Sequence, residues 1–291
     1  MTIQDALERA KQLRRTRDAD QPTMRVDRSP ISPYHDATSR AVHHESPHAE
    51  SVQVTYPALE RVAFDREECR KRKVLVTEDQ LKEMGPAAAA IRQLRSRVLH
   101  RMRSGNWSCV GMTSSGPGEG KTLTAINLAI SIARENQRDV YLLDLDMRNP
   151  SVFESLGVRP PRSLSQFFSE SLAPEQVLFA TEFERLMLAG NRDAVPNASE
   201  LLASPKLDEL LAYIRRRAPG AVIVIDLPPV VSTDEALVVA PRTDALFLVV
   251  CEGKTRRDAL TRAINVLSDF PMAGIIMNRA SEQLGQDYYA Y

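Results

Sequence analysis

The chain has 291 residues, of which 43% are hydrophobic and 26% are charged, enough for one large domain with a buried core. Its 38 basic and 38 acidic residues cancel to a formal net charge of zero, so we expect no nucleic-acid partner on bulk charge. The widely spaced Cys69, Cys109 and Cys251 form neither a disulfide framework nor a CxxC metal pair, which is typical of a reducing compartment.

Residues 1–75 divide into a short helix and a linker. Apolar residues recur on one face of residues 3–15 and predict a short amphipathic helix. Residues 16–75 are rich in Pro, Ser, His, Arg and Asp. They predict a mostly disordered tail, because they bury too little apolar surface to offset the entropy of ordering. The N-terminus is charged and lacks the apolar core of a signal peptide, so we expect a cytoplasmic protein.

From residue 76 to residue 291, apolar strands alternate with amphipathic helices. Strands are predicted at 107–112, 139–145, 185–190, 221–227, 244–251 and 274–278. Helices are predicted at 86–103, 120–135, 150–156, 163–170, 174–179, 205–217, 233–240 and 256–268. Several strands are apolar on both faces, as in a parallel sheet covered by helices. The pattern predicts an α/β domain with a mostly parallel sheet flanked by helices.

A glycine-rich loop follows the first of these strands and opens a helix. Its sequence, SGPGEGKT, matches the P-loop pattern GxxxxGK[ST] except for serine at the first position. The three glycines let successive backbone amides turn toward an anion, and the helix adds its positive end. The lysine can reach the β- and γ-phosphates of a nucleotide, and the threonine hydroxyl can bind Mg²⁺. The predicted phosphate-binding residues are Ser115, Gly116, Pro117, Gly118, Glu119, Gly120, Lys121 and Thr122.

Acidic residues end the next strand, in the run VYLLDLDMRNP. Alternation along an extended chain aims Asp144 and Asp146 the same way, at the carboxyl end of a strand, where open α/β sheets bind ligands. Such a pair can hold Mg²⁺ or take a proton from an attacking hydroxyl. The simpler alternative is a polar strand end that caps the next helix.

A third motif is VIVIDLPPV, an apolar strand that ends in Asp226. This is the Walker B arrangement, in which the carboxylate organises the metal. Pro228 and Pro229 stop the strand and stiffen the turn that follows. In sequence order after the first two motifs, it predicts a P-loop NTPase fold.

Together these motifs resemble the catalytic domain of the bacterial tyrosine kinases, which is related to the chromosome-partitioning and division-site ATPases. The family's SxxPGEGKT is matched from Ser114 to Thr122, its DxDxR from Asp144 to Arg148, and its DxPP by residues 226–229. Residues 196–211 also resemble the stretch that this family places between the two acidic motifs. The resemblance extends over residues 107–278 and implies an α/β P-loop fold with protein-tyrosine kinase activity.

The resemblance also implies the cofactors ATP and Mg²⁺ and the roles of individual residues. The P-loop and Arg148 would bind the nucleotide, and Thr122, Asp146 and Asp226 would hold the metal. Asp144 is the candidate proton acceptor, and the alternative is that Asp144 and Asp146 exchange roles. The expected catalytic residues are Lys121, Asp144, Asp146 and Asp226.

Three of the chain's seven tyrosines, Tyr288, Tyr289 and Tyr291, lie in the tail at 281–291. Family members carry such a cluster and phosphorylate it between subunits, so the resemblance implies autophosphorylation of these tyrosines. The alternative is an ordinary aromatic tail. Each phosphate would add about −1.5 to −2 charges, which suggests a switch between assembled and dispersed states.

The order of short helix, linker and compact kinase domain most resembles the autokinases that accompany exosortase-linked exopolysaccharide clusters. That resemblance implies control of exopolysaccharide polymerisation and export, a membrane-anchored polysaccharide chain-length regulator as activator, and a cognate tyrosine phosphatase. The protein would then lie at the inner face of the plasma membrane through its partner. We also expect self-association, although the family's ExxRxxR contact motif has Ala89 in the acidic position, before Arg92 and Arg95.

Two alternatives remain from the sequence. One is a positioning ATPase of the partitioning and division-site type, but Gly116 stands where those proteins carry a signature lysine. The other is a non-catalytic, nucleotide-sensing scaffold of the polysaccharide machinery.

Overall fold

The computed structural model describes residues 57–135 and 137–280. The predicted helix at 3–15, most of the predicted linker and the tail at 281–291 with its three tyrosines lie outside these ranges.

Strands in the described residues form one eight-stranded sheet. They are β1 (Glu60–Arg61), β2 (Cys109–Ser114), β3 (Val140–Asp144), β4 (Phe179–Ala180), β5 (Leu186–Ala189), β6 (Val222–Asp226), β7 (Ala245–Cys251) and β8 (Met272–Asn278). Their order across the sheet is β1-β4-β5-β3-β6-β2-β7-β8. Neighbouring strands run parallel except β4 and β5. The mostly parallel α/β sheet predicted from the sequence is confirmed.

Helices connect the strands, as a parallel sheet requires. They are α1 (Arg66–Lys71), α2 (Glu78–Glu83), α3 (Gly85–Gly105), α4 (Lys121–Ala133), α5 (Val152–Leu156), α6 (Leu164–Ser169), α7 (Ala198–Ala203), α8 (Pro205–Arg217), α9 (Glu235–Val239) and α10 (Arg257–Val266). Short 3₁₀ turns occupy Pro174–Gln176 and Ala240–Arg242. Across the described ranges, no helix combines the length and apolar character needed to cross a bilayer.

The core lies around the central strands. Every residue of β2, β3, β6 and β7 is buried, which explains why these segments are apolar on both faces. Helix α4 is buried along nearly its whole length and contacts β2, β3 and β6. The P-loop is therefore held between a buried strand and a buried helix.

Residues 57–75 correct the predicted linker, because they belong to the folded domain. Strand β1 pairs with β4, and Asp65 caps α1 by accepting from the amides of Glu67 and Glu68. Phe64, Cys69 and residues 74–76 are buried. These few apolar residues are scattered in the sequence, and they become a core segment only by packing on distant parts of the chain.

The predicted helix at 174–179 is also corrected. Only Pro174–Gln176 forms a helical turn, of the 3₁₀ type, and the chain then extends into β4. Val177, Leu178 and Phe179 are fully buried, so tertiary packing determines the backbone here. Helix α7 was not predicted; it has six residues, and Ser204 separates it from the longer helix α8, which begins at Pro205.

The strand order places the three sequence motifs side by side. Strand β6 lies between β3 and β2, and Asp226 at its end is in register with Asp144 on β3 and with Met112 on β2. The carboxyl ends of these parallel strands share one edge of the sheet. The two acidic motifs and the P-loop therefore meet at that edge.

Candidate active site

The P-loop joins the end of β2 to the start of α4 and has the tight backbone that its glycines permit. Gly118 and Gly120 have φ angles of 69° and 93°, in the region that favours glycine. A Cβ atom on Gly118 would lie 2.4 Å from Lys254 Nζ, and one on Gly120 would lie 2.0 Å from Asn278 Nδ2. Close approach by Asn278 thus adds a second reason for glycine at 120, whereas the exposed end of Lys254 could move away from a side chain at 118.

Lys121 lies at the centre of the site and is surrounded by carboxylates. Its Nζ is 2.7 Å from Asp146 Oδ2 and 3.5 Å from Asp226 Oδ2, and its side chain is 10% exposed. Burial alone would lower the pKa of Lys121, but the charges of Asp226, Asp146 and Asp144 outweigh it and raise this pKa. The lysine is therefore a firmly protonated cation.

The Thr122 hydroxyl joins the P-loop to the strand that carries Asp226. Thr122 Oγ1 donates to Asp226 Oδ2 at 2.6 Å, and the Ser151 hydroxyl donates to Thr122 Oγ1 at 3.3 Å. Asp226 is fully buried, and burial raises its pKa despite the nearby Lys121. A hydroxyl and a carboxylate oxygen thus lie together beside the lysine.

Asp144 is fully buried and organises the loop that follows β3. Its Oδ1 accepts from the Asp146 amide at 3.2 Å. Its Oδ2 accepts from the amides of Ser151 and Val152, both at 2.9 Å. Burial, followed by the charge of Asp226, raises the pKa of Asp144 to about 7. This carboxyl can therefore gain and lose a proton near neutral pH.

The structure brings together Lys121, Thr122, Asp144, Asp146 and Asp226. The carboxylates of Asp146 and Asp226 and the Thr122 hydroxyl supply oxygen donors close to the Lys121 cation, and all of these residues except Thr122 are buried. Oxygen donors are what Mg²⁺ prefers, usually together with water and phosphate oxygens. The residues fit the metal and phosphate chemistry that the motifs predict.

Arg148 lies in the loop that follows β3 and contacts residues at the start of α9. Its Nε donates to Glu235 Oε1, and its Nη2 lies 3.9 Å from Asp234 Oδ1. Glu235 is fully buried, and its second oxygen has no hydrogen-bond partner among the described residues. The structure therefore ties Arg148 to the start of α9, and a role in nucleotide binding stays a prediction.

The Glu119 side chain turns back toward the P-loop, to which Glu119 itself belongs. Its carboxylate accepts from the Ser115 amide at 2.8 Å, the Ser115 hydroxyl at 2.7 Å and the Gly116 amide at 3.0 Å. Thr255 and Asn278 also contact this residue from β7 and β8. Sequence reasoning missed both, although each lies just past or at the end of a strand at this edge of the sheet.

The basic residues of the expected subunit contact differ in their surroundings. Arg95 Nη2 forms an ion pair with Glu135 at 2.7 Å, and its Nη1 donates to the Ser131 carbonyl at 3.2 Å. Arg92 is exposed on α3. Arg95 therefore has a role inside the domain, which the helical spacing of the two arginines does not reveal.

Comparison with known proteins places this geometry in a family. No family model matches the chain. It is 28% identical to the tyrosine-protein kinase YwqD of Bacillus subtilis over 202 residues, which cover 69% of this chain and 84% of YwqD. It is 30% identical to the tyrosine-protein kinase CpsD of Streptococcus pneumoniae over 176 residues, covering 58% of this chain and 75% of CpsD.

A solved structure gives the same result. The kinase domain of VpsO matches with a TM-score of 0.61 at 27% identity, covering 69% of this chain and 98% of the VpsO domain. The match in fold accompanies the match in sequence to CpsD and YwqD. The chain belongs to the bacterial tyrosine-protein kinases.

Proposed function

We propose that this protein transfers the γ-phosphoryl group of Mg²⁺-ATP to tyrosine hydroxyls. The first acceptors would be Tyr288, Tyr289 and Tyr291 in the tail of this same protein. The observation that carries this proposal is the convergence of Lys121, Thr122 and Asp226 where the P-loop meets the end of β6. The relatives named as tyrosine-protein kinases support tyrosine as the acceptor.

Nucleotide binding falls to the P-loop from Ser115 to Thr122. The amides of Ser115 and Gly116 are taken by Glu119, so the amides nearer the helix are the ones that would face the β- and γ-phosphates. Lys121 would exchange its contact with Asp146 for one with these phosphates. Arg148 would join the nucleotide only if it leaves Glu235.

Thr122, Asp146 and Asp226 would hold the metal. When bound there, Mg²⁺ would neutralise charge on the β- and γ-phosphates. Within residues 57–135 and 137–280, no group of three or more His, Cys, Asp and Glu side chains could hold a metal by itself. The proposal therefore requires oxygen atoms of the nucleotide and water to complete the ligand set.

Asp144 would take the proton from the attacking tyrosine. Its Oδ2 is occupied by two amides, whereas among the described residues Oδ1 accepts only the Asp146 amide. Each carboxylate oxygen has two lone pairs, so one lone pair of Oδ1 stays available for a hydroxyl proton. The raised pKa of about 7 makes Asp144 a stronger base than an ordinary carboxylate.

The biological setting is part of the proposal. Resemblance to the exosortase-linked autokinases supports control of exopolysaccharide polymerisation and export, with a membrane-anchored chain-length regulator as activator. It also supports self-association, reversal by a tyrosine phosphatase, and a cytoplasmic location beside the membrane through the partner. Exposed Arg92 on α3 is a candidate for the contact between subunits.

Intact-mass and tandem mass spectrometry of the full chain after incubation with Mg²⁺-ATP tests the activity. We expect phosphate on the tail tyrosines of the wild type. We expect none there in Lys121→Met, and none in a variant with phenylalanine at 288, 289 and 291. Phosphate on serine or threonine alone would contradict the proposal.

A wild type that binds ATP without forming phosphotyrosine would be tested again with the cytoplasmic segment of a membrane partner. Phosphorylation that appears only then would support activation by the partner. Its continued absence would favour the nucleotide-sensing scaffold over the kinase.

A further inference from the structure

The P-loop is held from both sides, by different strands. Strands β3 and β6 lie on one side of β2 and supply the acidic residues that contact Lys121. Strands β7 and β8 lie on the other side of β2, and the sequence motifs assign no role to them. Three side chains from this second side contact the P-loop: Lys254, Thr255 and Asn278.

Glu119 is the point where this second side meets the loop. Its side chain is nearly buried, with 4% of the residue exposed. Its Oε2 accepts from the amides of Ser115 and Gly116, and its Oε1 accepts from the hydroxyls of Ser115 and Thr255. Four donors match the four lone pairs of a carboxylate, so the buried charge is fully satisfied.

Thr255 is fixed in the orientation that this contact needs. The Cys251 amide donates to Thr255 Oγ1 at 2.8 Å, so the hydroxyl proton of Thr255 is directed at Glu119 Oε1, 2.6 Å away. The Thr255 amide donates to the Cys251 carbonyl at 2.9 Å. These two hydrogen bonds between Cys251 and Thr255 close a turn at the end of β7. We name the segment Cys251–Thr255 the β7 turn.

Two further contacts hold the backbone of the same loop. Lys254 Nζ donates to the Gly118 carbonyl at 3.0 Å, and Asn278 Nδ2 donates to the Glu119 carbonyl at 3.0 Å. With these carbonyls directed toward β7 and β8, the neighbouring amides are left to face the opposite side, where Lys121 and the acidic residues lie. The contacts therefore orient the groups that would bind phosphate.

We propose that Glu119 and Thr255 are positioning residues that hold the P-loop in its phosphate-binding shape, so that the β7 turn sets the affinity for nucleotide. This inference rests on the proposed function only in taking the P-loop as a nucleotide site. A preformed loop binds more tightly because it loses less conformational freedom when the ligand arrives. Neither residue contacts Lys121 or the acidic cluster in the hydrogen bonds of the described residues.

The test is the affinity of the full chain for ATP and ADP, measured by calorimetry, beside the kinetics of phosphorylation. In Thr255→Val the shape of the side chain is kept, but Glu119 loses a donor and the Cys251 amide loses its acceptor. We expect the Kd for both nucleotides to rise about tenfold, with turnover at saturating ATP kept within about twofold. Thr255→Ser should restore the affinity, because it keeps the hydroxyl.

Two controls separate positioning from general damage. Thr261→Val makes the same chemical change on α10, away from the loop, and should leave the Kd unchanged. Lys254→Met removes the contact of an exposed side chain to Gly118 and should raise the Kd, whereas Arg257→Met removes an equal charge nearby and should not. The Lys254 pair keeps the test valid if Thr255→Val does not fold.

The outcomes distinguish this inference from the proposed function. Equal nucleotide affinity in wild type, Thr255→Val and Lys254→Met would overturn the positioning role, whether or not the protein is a kinase. Weaker binding in both variants, with no phosphotyrosine in any of them even when the cytoplasmic segment of a membrane partner is added, would support the positioning role and overturn the kinase proposal. Thr255→Ser that binds as weakly as Thr255→Val would also contradict a role for the hydroxyl.

Discussion

The Lys121 ammonium lies 2.7 Å from Asp146 Oδ2, so that the P-loop lysine is paired with the residue expected to hold the metal. This pair joins the start of α4 to the loop after β3. In the proposed function, the phosphates of the nucleotide would compete with Asp146 for the charge of this lysine. Asp146, released from the lysine, would then be able to hold the metal.

Asp146→Asn tests this exchange. We expect ADP affinity without Mg²⁺ to be equal to that of the wild type or higher, because Lys121 is released from its ion pair. We expect the affinity for Mg²⁺ to fall at least about tenfold. Calorimetry of ADP binding with EDTA and with Mg²⁺ measures both. Weaker ADP binding in EDTA would show that Asp146 holds the lysine ready for phosphate instead.

Asp144→Asn tests the proton acceptor. The substitution removes the basic oxygen but keeps a side chain that can accept the Ser151 and Val152 amides. If Asp144 is the base, turnover of the wild type should rise with pH as Asp144 loses its proton. In Asp144→Asn we expect turnover to fall by about 100-fold or more and this rise to disappear, while ATP affinity stays unchanged. A variant that keeps the pH profile at reduced rate would assign the proton to Asp146.

Lys121→Met should make stability depend more strongly on pH. Burial raises the pKa of Asp144 to about 7, so the folded state keeps a proton that the unfolded chain releases above about pH 4. This stabilises the protein at low pH and is lost as pH rises through 7. Lys121 lowers the pKa values of Asp144 and Asp226, so its removal raises both further.

Urea unfolding without nucleotide at pH 5 and pH 8 measures this effect. We expect the loss of unfolding free energy in Lys121→Met to be larger at pH 8, where the buried carboxylates would have to ionise without a cation. An equal loss at both pH values would show that Lys121 does not balance their charge. Lys254→Met serves as the control, since Lys254 is exposed.

Arg148→Ala should destabilise the domain through Glu235. Glu235 is fully buried, and Arg148 holds one of its oxygens while the other has no partner in the described residues. Removing the partner of a buried charge is costly, so we expect a measurable loss of unfolding free energy, although Arg148 itself is half exposed. Urea unfolding measures this loss.

The double variant Arg148→Ala/Glu235→Gln separates the two possible roles of Arg148. It should recover stability, because no buried charge is left. If Arg148 also binds the nucleotide, ATP affinity should be low in Arg148→Ala and should stay low in the double variant. Recovery of both properties would limit Arg148 to its contact with α9.

Arg92 and Arg95 should respond differently to substitution. Arg95→Ala removes the ion pair to Glu135 and the hydrogen bond to the end of α4, so we expect a loss of about 1–2 kcal/mol in unfolding free energy. Arg92→Ala should leave stability unchanged, since Arg92 is exposed. If α3 forms the subunit contact, Arg92→Ala alone weakens self-association in sedimentation velocity. The opposite pattern would contradict both assignments.

The sequence predicted the P-loop, the acidic strand ends and the parallel sheet because each rests on a local pattern. An apolar strand followed by a glycine-rich loop and a helix determines where Lys121 lies. Parallel pairing of β3 and β6 then brings Asp144 and Asp226 into register. The candidate site therefore follows from periodicity together with the geometry of parallel strands.

The features that were missed depend on contacts between distant segments. Residues 57–75 have the composition of a linker, yet the Leu75 amide donates to Asn127 on α4 and β1 pairs with β4. Thr255 and Glu119 lie 136 positions apart, and no local pattern links them. Arg95 has the helical spacing of a surface residue, and only the fold shows that Glu135 lies beside it.

Among the described residues, strand β8 is the last strand of the sheet and pairs with β7 alone, and most of its residues are partly exposed. Such an edge opens locally at a lower free energy than the central strands, and exchanges its amide hydrogens sooner. Yet its final residue, Asn278, holds the Glu119 carbonyl. Fraying of one peripheral strand would therefore loosen the P-loop while β2, β3 and β6 stay intact, so hydrogen exchange in β8 should slow when nucleotide binds.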